Sequence, residues 1–197
     1  MFIVIDGPDG SGKTTLAQQL VKDLCSKGAT TLYTFEPTNE SDAGKEIHSL
    51  LQSGNIKDIY SFTSLFIDDR KHHIHNLILP ALNSGVHVVC DRYKYSSMAY
   101  QQSQGVCPSY LININADCLI PDVVFLLLPK CISTLMSRIS NRQKNKDFFE
   151  TAEYLNRIIV FYKKIPEYFP DERIIYLDAE SPISENIIRI EQMIGIP

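Results

Sequence analysis

The sequence predicts an α/β protein whose parallel sheet is covered by helices on both faces. Three observations carry that prediction. Short, continuously apolar runs alternate with amphipathic helical patterns, as strands buried on both sides require. The first run, Phe2-Ile3-Val4-Ile5, passes through a glycine-rich loop directly into a helical pattern. The chain has 197 residues, a length for one domain that buries about 70% of its unfolded surface.

In chain order, the first strand covers 2–5 and a helix follows from Lys13. Leu16, Leu20 and Leu24 recur at i+4 beside Ala17 and Val21, and Gly28 marks the stop. A second strand at 30–35 halts at Glu36-Pro37. The next helix begins near Ser41 and carries Ile47, Leu50 and Leu51. A long helical region at 57–83 breaks near Pro80, because proline disfavours a helical residue before it. A third strand at 86–90 ends at Asp91, and helical turns follow at 95–102 and 109–117. The run at 122–128 is a fourth, wholly apolar strand. A helix from Ile132, a basic stretch at 140–146 and a helix at 147–165 lead to a fifth strand at 173–177 and a closing helix at 182–194. In such a sheet the ligand sits at the carboxyl ends of the strands. The loops after Ile5, Phe35, Cys90 and Leu128 are therefore expected to share one site.

Composition narrows the class. A hydrophobic content of 44% with 21% charged residues is ordinary for a soluble globular protein. The net charge of −4 argues against a dedicated nucleic-acid binder, though not against a local phosphate site. Five cysteines, Cys25, Cys90, Cys107, Cys118 and Cys131, are an odd number without a C-x-x-C pair. Cys25 and Cys90 fall in apolar patterns and read as buried thiols, and a reducing cytoplasm is the expected home. No signal peptide precedes the first strand, and no apolar run reaches the length of a membrane span, so no membrane role is expected. His72, His73 and His75 do not gather metal ligands on one helical face.

The loop at 7–15 reads Gly7-Pro8-Asp9-Gly10-Ser11-Gly12-Lys13-Thr14-Thr15, which fills G-x-x-x-x-G-K-[ST]. Glycines let consecutive backbone N–H groups face an anion, and the following helix adds its positive end. Lys13 reaches the β- and γ-phosphates, and the Thr14 hydroxyl can hold Mg²⁺. This nominates the whole loop for binding ATP. No N-K-x-D or separate D-x-x-G of a GTPase accompanies it, and no transporter signature loop. A small-molecule kinase remains.

Five segments resemble the thymidylate (dTMP) kinase family. They are Asp6-Gly7-Pro8-Asp9-Gly10-Ser11-Gly12-Lys13-Thr14-Thr15, Glu36-Pro37-Thr38, Leu65-Phe66-x-x-Asp69-Arg70, Asp91-Arg92-Tyr93 with Ala99-Tyr100-Gln101, and Asp147-x-Phe149-Glu150. They occur in the family's order over nearly the whole chain. The resemblance implies the P-loop NTPase fold of nucleoside monophosphate kinase type, with a five-stranded parallel sheet. It also implies dTMP and ATP as substrates, Mg²⁺ as cofactor, and a homodimer.

The residues themselves permit the corresponding roles. Asp9 can accept from a sugar hydroxyl, and the resemblance makes that the 3′-hydroxyl of the deoxynucleotide; otherwise it faces solvent. Phe66 and Arg70 are i and i+4 on one helix face, where an aromatic plane stacks on a base and a guanidinium matches a carbonyl. The same spacing fits a core stripe of Ile59, Phe62 and Phe66, with Arg70 paired to Asp68, Asp69 or another carboxylate. Asp91 can hold waters on Mg²⁺ and Arg92 can grip the acceptor's phosphate; an ion pair capping the strand is the competing reading. Tyr93 is expected to pack. Tyr100, by resemblance, excludes a 2′-hydroxyl, and Ser97 lies near the base. A basic segment with Arg138, Arg142, Lys144 and Lys146 forms the expected lid at 138–150, with Arg142 as first and Arg138 as second choice for the cation over the phosphoryl group. Glu36 joins the substrate side.

Four positions depart from the family pattern: Phe35 where an arginine is common, Gln102 for glycine, Phe148 for a lid arginine, and Pro8 in the loop. They bear on the phosphate clamp and the lid. Two other readings stay open. One is a deoxynucleoside kinase acting on thymidine, with Glu36 as a base; the other is a non-catalytic nucleotide-binding module.

Overall fold

A computed structural model describes residues 1–141 and 151–195. Five parallel strands stand in the order β2-β3-β1-β4-β5, with β1 at Phe2–Asp6, β2 at Thr31–Phe35, β3 at His87–Asp91, β4 at Val123–Leu128 and β5 at Ile174–Asp178. Side chains alternate along each strand, so one sheet feeds two cores. Ile3, Ile5, Val89, Val123, Phe125 and Leu127 pack with Leu16, Leu20 and Leu24 of α1 (Lys13–Ser26) and with Ile187 and Ile190 of α9 (Ile183–Ile194). Phe2, Val4, Val88, Cys90, Val124 and Leu126 pack on the other face. There they meet Met98 of α5 (Lys94–Ser103), Leu111 of α6 (Pro108–Ile114) and Ile158 and Tyr162 of α8 (Ala152–Tyr168). The central strand β1 has all of its residues buried, which explains its unbroken apolar run.

The helices between β2 and β3 are α2 (Asp42–Ser53), α3 (Ile59–His73) and α4 (Leu79–Asn83), and α7 (Ile132–Ser140) follows β4. Ser41 caps α2 by accepting from the Gly44 N–H at 2.8 Å, as its position before the helix predicts. The helical region at 57–83, expected to break near Pro80, is instead interrupted earlier, by a π-helical segment at Ile74–Ile78 that joins α3 to α4. Pro80 sits in the first turn of α4, directly after the π-helical segment. The wider turn lies upstream of it and absorbs the break. Helix α8 also continues past the expected end at 165 to Tyr168, with Pro166 inside it.

Cys25 corrects an expectation: it is exposed on α1, one residue beyond the buried Leu24, whereas Cys90 is buried as expected. Among the described residues, no helix is long and apolar enough to cross a membrane. Strand register then sets the site. Ile5 pairs with Asp91 and Asp6 with Leu126, so the loops leaving β1, β3 and β4 emerge side by side at the carboxyl edge.

Candidate active site

The loop after β1 is shaped by close approach. A Cβ on Gly7 would lie 2.5 Å from the Leu127 carbonyl oxygen, so no other residue fits there without movement. Gly12 then enters α1 at φ 95 with no side-chain cap, leaving the first-turn N–H groups for an anion. The Lys13 ammonium is buried against the loop, with Nζ 3.4 Å from the Pro8 carbonyl and 3.5 Å from Asp9 Oδ1. Burial, and then the Arg92 charge, push Lys13 below its ordinary range. Ser11 Oγ is buried without a hydrogen-bond partner among the described residues.

Arg92, just past β3, holds a left-handed backbone at φ 71, unusual for a residue other than glycine. That turn swings its guanidinium over the loop. Nη2 pairs with Asp9 Oδ1, Nη1 donates to Ser96 Oγ at 2.8 Å, and the group lies 5.2 Å above the Tyr100 ring. Tyr100 donates to Asp9 Oδ2 at 2.8 Å and accepts from the Asp9 N–H at 3.0 Å. Burial works to raise the Asp9 carboxyl, but Arg92, Lys13 and Tyr100 outweigh it and hold it below the usual carboxylate range. Burial opposes the Arg92 charge, yet Asp9 lifts that guanidinium well above its ordinary value.

Beside this pair, Asp91 Oδ2 accepts from the Thr14 hydroxyl, while Asp91 Oδ1 is buried without a partner among the described residues. A hydroxyl and a half-free carboxylate are donors suited to a hard divalent cation that keeps several waters, so the set fits Mg²⁺. On the other flank, Thr15, Arg138, Asn141 and Asn186 line a cavity of about 400 Å³ next to Gly10 and Gly12. Arg138 Nη1 donates to the Ser11 carbonyl at 3.1 Å, which ties α7 to the loop's backbone. Arg142, Lys144, Lys146 and the lid motif at 147–150, including Phe148, lie outside the described residues.

The second half of the site is a buried guanidinium. Arg70 on α3 donates from Nε to Glu36 Oε2 at 2.8 Å, from Nη1 to Asn115 Oδ1 at 2.6 Å, and from Nη2 to Ser97 Oγ at 3.2 Å. It also lies 5.2 Å from the Tyr93 ring centroid, and Tyr93 packs as expected. Its carboxylate partner is thus Glu36, not Asp68 or Asp69. Asp69 instead accepts from the Thr38 N–H at 2.8 Å and from Ser41, pinning the loop after Glu36-Pro37, whose peptide bond is cis. Glu36 also accepts from His73 at Oε1, so each of its oxygens has a partner inside the protein. Phe66 is half-buried, edge-on to Phe62 at 5.1 Å. Phe35 stacks near Tyr33 and stays exposed, and Gln102 is buried with Nε2 on the Met98 carbonyl.

Sequence reasoning passed over Asp6. Its buried carboxylate accepts from the N–H groups of Gly7 at 2.8 Å, Tyr93 at 3.1 Å and Ser96 at 2.9 Å, and from the Tyr162 hydroxyl at 2.8 Å. It fastens the phosphate loop to the turn carrying Arg92 and to α8. A carboxylate ending a wholly apolar strand was the available signal. Asn115, His73 and Tyr162 had none, since their partners lie 45, 37 and 156 residues away.

The glycine-rich loop opens α1 with Lys13, and Arg92 reaches the same loop from the neighbouring strand end. With this sheet order the molecule is a P-loop kinase of nucleoside monophosphate type. A family model described as thymidylate kinase matches residues 5–190. The chain is 39% identical to the "Probable thymidylate kinase" of Thermococcus gammatolerans, over 94% of this chain and 91% of that relative. It is 36% identical to the protein of the same description in Thermococcus kodakarensis, over 99% of each. With the "Thymidylate kinase" of Brachyspira hyodysenteriae it shares 37% identity, over 84% of this chain and 81% of the relative. The chain belongs to the thymidylate kinase family, and it is an enzyme.

Proposed function

We propose that this site transfers the γ-phosphoryl group of ATP to the 5′-phosphate of dTMP, giving dTDP and ADP. The observation that carries the reading is the convergence of Lys13 Nζ and Arg92 Nη2 on one oxygen, Asp9 Oδ1. Two cations from different strand ends share a point where anionic oxygens of donor and acceptor would otherwise repel. ATP lies along the loop from Gly7 to Thr15 with its base in the cavity beside Asn141. dTMP lies across the site, its phosphate on Arg92, its sugar by Asp9 and Tyr100, and its pyrimidine by Phe66, Arg70 and Ser97, with Glu36 behind. Lys13, Arg92 and a lid cation, Arg142 or Arg138, neutralise charge spread over the moving group. A phosphate oxygen is already an ionised nucleophile, so the protein's task is alignment. Mg²⁺ held by Thr14 and Asp91 would supply charge neutralisation on the phosphates. The chain works as one domain with a lid at 138–150, as a homodimer, and in the cytoplasm, a placement its five free thiols support.

An acceptor screen tests the reading. With ATP in excess, ADP release is compared for dTMP, dUMP, dCMP and thymidine, and products are separated by chromatography. dTMP is expected to be the best acceptor. Preference for thymidine, or tight ATP binding without transfer to any monophosphate, overturns it.

A further inference from the structure

Behind the base-side guanidinium lies a buried chain of contacts that the reaction as described leaves unused. Nε and Nη2 of an arginine share the edge on which a carboxylate normally takes two parallel hydrogen bonds. Glu36 takes only one of them. Its Oε2 accepts from Arg70 Nε at 2.8 Å, while its Oε1 is 3.2 Å from Nδ1 of His73. A carboxylate only accepts, so Nδ1 carries the proton of that bond. His73 is braced in turn, with Nε2 2.7 Å from the Thr34 hydroxyl on β2. Glu36, Arg70, His73 and Thr34 are all buried.

We propose that His73 is a positioning residue for base recognition. By occupying Oε1 of Glu36, it restricts that carboxylate to one N–H of Arg70 and keeps Nη2 directed to Ser97 and the pyrimidine carbonyl. The inference rests on the reading of Phe66 and Arg70 as the base site. The physical reason is competition for a buried oxygen. Without His73, Oε1 would be a buried acceptor short of its partner, which is unfavourable. Turning it onto Nη2 is the nearest relief, because that atom completes the fork. Glu36 would then hold one of the two N–H groups of Nη2 and turn the guanidinium toward itself, leaving Ser97 and the pyrimidine carbonyl to share the other. A donor matched to a carbonyl separates thymine from cytosine, which presents an amino group there.

The same neighbourhood brings Glu36, His73 and Cys90 ligand atoms within 4.8 Å of one another, a set of metal-ligand types. Cys90 however donates its thiol hydrogen to the Arg92 carbonyl at 3.0 Å, and burial pushes that thiol's pKa well up. With Glu36 already committed to Arg70, the hydrogen-bonding role is the one these contacts support.

The test is steady-state kinetics on the full chain with dTMP and dCMP as acceptors at saturating ATP. His73→Leu is expected to raise KM for dTMP about tenfold and to lower the dTMP-over-dCMP ratio of kcat/KM by about the same factor, the scale of one lost charge-assisted hydrogen bond. kcat should change by less than about twofold, since no phosphate contact is touched. His73→Asn, whose amide N–H can stand where Nδ1 stood, should restore KM and the ratio. Thr34→Val carries the same test, with a smaller KM rise, should the leucine variant fail to fold. Arg70→Lys separates the two readings. If it changes neither KM nor the ratio, the base-site reading fails and takes this one with it. If it changes both while His73→Leu and Thr34→Val change neither, His73 has no positioning role. Failure of His73→Asn to rescue while melting normally overturns the inference, as does stoichiometric zinc that this variant loses.

Discussion

Arg92 allows activity and stability to be pulled apart. Its φ of 71 places an L-residue in the left-handed region, at about 1–2 kcal/mol of strain. Glycine removes that strain but adds about 0.5–1 kcal/mol of chain entropy to the unfolded state. Arg92→Gly should therefore be more stable than Arg92→Ala by about 0.5–1 kcal/mol, although both lose the same side chain. The lost contacts are an ion pair to a half-exposed Asp9, a hydrogen bond to Ser96 Oγ and a cation over the Tyr100 ring, together about 2–3 kcal/mol after solvent screening. Net stability of the glycine variant then falls by about 1–2 kcal/mol from the parent. Turnover does not follow it. Losing a preorganised charge at the transferring phosphoryl lowers kcat by about 10²–10³ in both variants. Urea unfolding curves and dTMP kinetics on the three proteins check this together. Near-normal kcat in Arg92→Gly refutes the charge argument, and an alanine variant as stable as the glycine variant refutes the strain argument.

Three further outcomes follow from the same contacts. Asp91→Asn should raise the Mg²⁺ concentration giving half-maximal rate by about tenfold, because one anionic oxygen beside Thr14 is lost; an unchanged Mg²⁺ titration counts against Asp91 and Thr14 as the metal's holders. Asp9 is held below the usual range by Arg92 and Lys13, so its contribution is present above the unfolded value near about pH 4 and is lost as pH falls below it. The parent should thus lose stability in acid more steeply than Asp9→Asn, and parallel melting curves between neutral pH and pH 3 would contradict this. Leu20→Ala, in the α1 core, should cost about 2–5 kcal/mol of unfolding free energy with KM for dTMP unchanged; a smaller loss would mean that this core collapses onto the gap.

What could be read from the chain alone was local. Phe2-Ile3-Val4-Ile5 followed by glycines, Lys13 and Thr14 describes a strand, a glycine-rich turn and the start of a helix within thirteen consecutive positions, and each part follows from its neighbours' geometry. Helix α2 and its Ser41 cap were legible for the same reason, as was Asp91-Arg92 at a strand's end. The π-helical segment ahead of Pro80 was not, because helical periodicity looks the same through one widened turn. Nor was the exposure of Cys25, which depends on which side of α1 meets the sheet.

Partnership was decided only by the tertiary structure. Arg70 had nearby carboxylates at Asp68 and Asp69, yet it pairs with Glu36, 34 residues away, since a helix turns those neighbours elsewhere. Asp9 and Arg92 are separated by 83 residues and meet because β1 and β3 are adjacent and in register. Periodicity along a chain reports which face a side chain leaves from. What stands opposite that face is set by strand order and by the packing of helices on the sheet.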